Sequence, residues 1–82
     1  MKNKYVDFVM SIEDLTPIER LILLFLINTS DENFSFKFNS AEIAYKCYCS
    51  VVKVYTSFNN LEKRGFLEKI NDKEYKVIFK DN

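Results

Sequence analysis

Ser50 is followed by Val52, Lys53, Tyr55, Thr56, Asn59, Asn60, Lys63 and Arg64. These side-chain types can meet a nucleic acid. An Asn amide pairs bidentately with adenine N6 and N7, a Lys ammonium reaches a guanine edge or a phosphate, and the methyls of Thr and Val touch a thymine methyl. Tyr55 and Arg64 can reach phosphates. Spacing matters as much as type. If Val54, Phe58 and Leu61, at intervals of four and three, turn inward, one helix presents Val52, Lys53, Tyr55, Thr56, Asn59, Asn60 and Lys63 outward. Further along, Lys69, Asn71 and Lys73 carry ammonium and amide groups to a hairpin tip, within reach of a backbone or a minor groove. The set suits A·T-rich double-stranded DNA. The same residues are also ordinary solvated helix residues, and Glu62 and Glu68 lie beside Lys63, Arg64 and Lys69 and blunt them.

Other chemistries find little support. The chain has no His, and its two cysteines are Cys47 and Cys49. A closed zinc site needs about four N/S ligands, and cysteines one residue apart are poor disulfide partners. Both read as small apolar side chains in a reducing compartment. There is no Gly-rich phosphate loop and no carboxylate pair fixed in an apolar run. We therefore read the chain as a binding protein and not an enzyme, with neither metal nor cofactor. The longest apolar run, Leu21 to Ile27, is far short of the ~20 residues that cross a bilayer. Met1-Lys2-Asn3-Lys4 leads into Tyr5, Val6 and Asp7 without a signal-peptide core, so the expected location is cytoplasmic.

The elements that must position the polar face are marked by their ends. Thr16, Pro17 and Glu19 form an N-cap, a first-turn proline and a capping box, predicting a helix over 17–28. Its core face is Ile18, Leu21, Ile22, Phe25 and Leu26, widened by Leu24. Phe34 to Phe38 alternates with period two and reads as a strand over 34–38. Asn39 with Glu42 opens a short helix over 40–47, with Ile43, Ala44 and Cys47 inward. Ser50 caps the polar-faced helix over 51–64, and Gly65, the single glycine in the chain, stands where a C-cap needs a left-handed residue. Residues 66–79 read as two strands around the turn Asn71-Asp72-Lys73. The strand at 34–38 can pair with that hairpin. The order predicts one α+β domain over 1–82: a winged helix-turn-helix, a three-helix bundle with a small antiparallel sheet and wing.

The stretch from Leu15 to Lys69, "LTPIERLILLFLI … FNSAEIAYKCYCSVVKVYTSFNNLEKRGFLEK", resembles the winged-helix domains of bacterial plasmid and phage replication initiators and related small transcription regulators. The matching positions are Ile43-Ala44, the Ser50 cap, Val54, Phe58, Leu61, Arg64, Gly65 and Phe66-Leu67. The resemblance implies DNA binding, as a regulator or a replication accessory factor of a mobile element. Two positions depart from it. Val51 and Val52 stand where Arg, Lys or Thr usually face the major groove. Tyr48 stands at a turn position that is often Gly and must take up a constrained conformation. The alternative is a protein-interaction module on the same fold.

Net charge is zero but uneven. Residues 1–45 hold four basic and seven acidic residues, net −3, and residues 46–82 hold eight and five, net +3. The C-terminal half is thus the one to face phosphate. So few cations give a monomer weak affinity at cellular salt, which points to a dimer on two half-sites. For that dimer the candidate surface is 4–14. Tyr5, Phe8, Ile12 and Leu15 fit a helical stripe, although Tyr5-Val6 and Val9 also fit an extended segment. We expect a short helix there that packs on a second copy, with folding back onto its own core as the alternative.

Overall fold

The computed structural model describes residues 4–79. Residues 1–3 and 80–82 lie outside it, and with them the Met1-Lys2-Asn3 start. The elements run α1 Lys4–Ser11, α2 Pro17–Thr29, β1 Ser35–Lys37, α3 Ser40–Lys46, α4 Val51–Lys63, β2 Leu67–Lys69 and β3 Glu74–Val77. The three strands form one antiparallel sheet in the order β1-β3-β2, with Phe36 opposite Tyr75 and Glu68 opposite Lys76. Four helices and this small sheet make an α+β fold compatible with a winged-helix-like arrangement.

The predicted caps are the ones that form. The Glu19 amide donates to the Thr16 hydroxyl at 3.2 Å, and Glu19 Oε1 accepts the Thr16 amide at 2.9 Å. Asn39 Oδ1 accepts the Glu42 amide at 3.0 Å and Ser50 Oγ the Lys53 amide at 3.1 Å. Each fixes one helix start by satisfying an amide that has no partner within the helix.

Two helices end in the same way. At the end of α4 the Gly65 amide donates to the Glu62 carbonyl and the Phe66 amide to the Leu61 carbonyl, at 3.0 and 2.9 Å. Gly65 has φ 85°, and Leu61 and Phe66 are both buried. This is the Schellman closure, in which a left-handed residue follows the cap. At the end of α3 the Tyr48 amide donates to the Tyr45 carbonyl at 3.4 Å and the Cys49 amide to the Ala44 carbonyl at 3.0 Å. The left-handed residue of this second closure is Tyr48, with φ 54°. A side chain in that conformation costs about 1–2 kcal/mol that glycine avoids.

The core departs from the sequence reading in two places. In α2 the buried apolar positions are Ile22, Leu23, Leu26 and Ile27, while Leu21 is 44% exposed. Leu21 was expected inside. The run is apolar on nearly every side, so periodicity could not set its phase. The second departure is α1. It ends at Ser11, and Asp14 with φ 62° turns the chain toward the Thr16 cap. Val9 and Ile12 are fully buried in the chain's own core. The Tyr5 ring lies 4.9 Å from Phe34 and 4.5 Å from Phe79, and Phe8 lies 5.1 Å from Phe79 and 6.1 Å from Phe66. The stripe expected to meet a second copy is turned inward, which removes the ground for a dimer through 4–14.

Candidate functional site

Helix α4 holds its inward stripe as predicted, with Val54, Ser57, Phe58 and Leu61 buried. Three sheet-side rings surround Phe58: Phe38 at 4.7 Å, Tyr75 at 5.3 Å and Phe36 at 6.1 Å between centroids. This contact sets the helix against β1 and β3, and so fixes where the hairpin stands relative to the outward face of α4.

That face presents Val52, Lys53, Tyr55, Thr56, Asn59 and Lys63, all exposed. The Thr56 hydroxyl donates to the Val52 carbonyl at 3.0 Å, leaving its lone pairs available outward. The Tyr55 ring leans on Phe38, centroids 5.5 Å apart, which steadies it on the surface. Ser50 contributes its hydroxyl to the cap. Val51, at 40% exposure, is open to solvent as well.

Three of the predicted site residues make hydrogen bonds within the protein. Asn60 is half-buried, and its Nδ2 donates to Glu19 Oε2 at 2.7 Å. Glu19 is itself buried, with Oε1 on the cap of α2 and Oε2 on Asn60, so Asn60 completes a polar pair between α2 and α4. Arg64 donates to two carbonyls of the α1–α2 loop, from Nη1 to Asp14 at 3.0 Å and from Nη2 to Glu13 at 2.9 Å. Its guanidinium also lies 5.5 Å from the Phe66 centroid. These contacts brace the turn between α1 and α2. Asn71 shapes the hairpin tip. Its Oδ1 accepts the Lys73 and Glu74 amides at 2.9 and 3.0 Å, and its Nδ2 donates to Glu74 Oε1 at 3.0 Å. Lys69 and Lys73 remain exposed on the hairpin.

The two neighbouring asparagines therefore make opposite forecasts. Asn60→Ala strands a buried carboxylate oxygen and should cost about 1–3 kcal/mol of stability. Asn59→Ala should stay within about 0.5 kcal/mol of the parent. Urea denaturation of both variants measures the difference, and equal midpoints would overturn the Glu19–Asn60 assignment.

The structure adds residues that the face was not expected to contain. Tyr45 is 77% exposed and Tyr48 93%, and Lys46, between them in the chain, is exposed as well. From residue 43 to residue 61 the charged residues are Lys46 and Lys53, with no Asp or Glu. Glu42, one turn before Tyr45 and Lys46 on α3, and Glu62 bound this acid-free stretch of chain. The signal was present in the sequence, but it crosses the boundary between two helices and so does not show in the periodicity of either.

Burial pushes the Cys47 thiol up, and neighbouring Cys49 adds to the effect. Cys47 fills the α3–α4 junction as a neutral apolar group. Among the described residues no cluster of three or more His, Cys, Asp or Glu could hold a metal ion, and no helix is long and apolar enough to cross a membrane. Compared with known protein families, curated proteins and solved structures, the chain matches none.

Proposed function

We propose that the protein binds double-stranded DNA, preferring A·T-rich sequence, with α4 in the major groove and the β2–β3 hairpin as a wing against the backbone. The observation that carries this reading is the exposed polar face of α4, which lies in a stretch of chain without acids. A helix face with Lys53, Thr56 and Asn59 outward and no carboxylate before Glu62 attracts a polyanion and offers hydrogen bonds to base edges. The first turns after the Ser50 cap project from the end that enters the groove in helix-turn-helix docking. The cellular role follows the resemblance over 15–69: a transcription regulator or replication accessory factor of the kind carried by plasmids and phages.

The exposed cations of this surface and the hairpin are Lys46, Lys53, Lys63, Lys69 and Lys73. At about −0.9 per phosphate neutralised, the affinity should fall with salt with a slope no steeper than about −4 to −5. Fluorescence anisotropy of an A·T-rich duplex across a salt series measures it. Lys63→Ala should weaken all sequences alike and flatten the slope by about one unit. Asn59→Ala should lower discrimination between sequences by about 1–3 kcal/mol. No binding of any duplex at low salt and tens of micromolar protein would end the DNA reading.

A second reading rests on a specific observation. Val51, Val52, Tyr45 and Tyr48 place exposed apolar surface at the same junction, which is what a protein-docking surface offers. In that case Val52→Asp abolishes partner binding and no salt-sensitive DNA binding exists.

A further inference from the structure

We infer that Tyr48 is a stacking residue for an unpaired base, so that the α3–α4 junction recognises DNA carrying an extruded or unpaired nucleotide. The inference rests on the DNA reading above and deepens it.

The argument starts from a comparison within the chain. The same helix closure is built twice, with the same pair of backbone hydrogen bonds. One copy uses Gly65 in the left-handed position, the residue that fits there without strain. The other uses Tyr48 at φ 54°, one of the bulkiest side chains that could be held there. Intramolecular packing does not explain the choice, because the ring is 93% exposed. The fold gains nothing from the ring and carries the strain of its backbone, so the ring is kept for something outside the protein.

The surroundings identify the partner. Tyr45, one turn back on α3, is also largely exposed. Lys46 and Lys53 flank the junction, and no carboxylate lies within 43–61. Glu42 lies one turn before Tyr45 on α3, so the ring that stands in the acid-free stretch is Tyr48, with Lys53 following it. An exposed ring with a cation near it in the chain matches the two halves of a nucleotide, a π-faced base and a phosphate. In a closed duplex the bases are stacked on one another and a ring at the backbone has no face to meet. An unpaired base removes that competition, and A·T-rich sequence opens at the lowest cost.

The test uses the full-length protein and three labelled duplexes of equal length. One is fully paired, one carries a single unpaired adenine, and one carries an abasic site in place of that adenine. The expected result is about ten-fold tighter binding to the unpaired adenine than to the paired duplex, since base–aromatic stacking is of that order. The abasic duplex, equally flexible but without a base, should show no such gain. Tyr48→Ala should remove the preference and leave the fully paired duplex bound as before, whereas Tyr48→Phe should keep it. Tyr48→Gly should lose the preference yet raise Tm by about 4 °C through relief of the left-handed strain.

Equal binding of all three duplexes would overturn the inference and leave the duplex reading standing. A gain on the abasic duplex as large as on the unpaired adenine would show that DNA flexibility is being read, not a base. Loss of the preference in Tyr48→Phe would move the contact to the hydroxyl and overturn stacking. Binding to none of the three would remove both readings together.

Discussion

Phe58→Ala should cost about 3–5 kcal/mol, the range for removing a buried aromatic ring from a core. A single domain of this size has a total stability on the order of 5 kcal/mol, so the variant should be largely unfolded in the absence of a stabilising ligand. The expectation follows from what surrounds the ring. Phe58 is buried and touches Phe36, Phe38 and Tyr75, so its loss leaves a cavity lined by stiff rings that collapse poorly. The sequence reading put Phe25 on the core face of one helix and Phe58 and Leu61 on that of another. The rings found around Phe58 belong to the sheet side, and Phe25 is half-buried at the edge of the core. The cavity therefore separates α4 from β1 and β3, the contact that positions the hairpin. Phe58→Leu, which refills most of the volume, should cost under about 1.5 kcal/mol. Thermal and urea melts followed by circular dichroism read both variants. A midpoint for Phe58→Ala within a few degrees of the parent would show that α4 is registered differently.

Local chemistry was legible in the sequence, and long-range partnership was not. Thr16, Asn39 and Ser50 each announced a helix start because a cap is made within three residues. Gly65 announced an end for the same reason. The strand at 34–38 and the hairpin followed from alternation and a turn, and β1 does pair with the hairpin, on β3. The phase of α2 was not legible, because a run apolar on all sides buries whichever face the neighbours leave. Asn59 and Asn60 are alike in type and adjacent, yet a helix turns about 100° per residue. That rotation leaves one exposed and brings the other to Glu19, 41 residues away. Nothing near Asn60 in the chain names that partner. Arg64 is the same case, since the carbonyls it holds lie about fifty residues back. Tyr48 was legible as a strained turn. Its use was not, because exposure depends on where the rest of the chain goes.

A chain that begins at Ser11 should not fold. If 4–14 were a surface for a second copy, its removal would leave the domain intact and only change its apparent mass. The structure predicts the opposite. Val9 is fully buried, and Tyr5 and Phe8 pack on Phe34, Phe66 and Phe79. Burying a large apolar side chain is worth about 1.5–3 kcal/mol, so one fully buried and two half-buried residues together contribute on the order of 5 kcal/mol, similar to the entire stability of the domain. Polar losses add to this. Arg20 Nη1 donates to the Val9 carbonyl at 2.8 Å, and that acceptor disappears with the helix. The rings of Phe34 and Phe79 would then face water at the end of the sheet, an exposed apolar patch that favours aggregation. The expected result is loss of the cooperative thermal transition, measured by circular dichroism on the truncated and full-length chains. Val9→Asp in the full chain should act in the same direction through an uncompensated buried charge. A truncated chain that keeps a cooperative melt near that of the parent would return α1 to the surface and reopen it as a contact between copies.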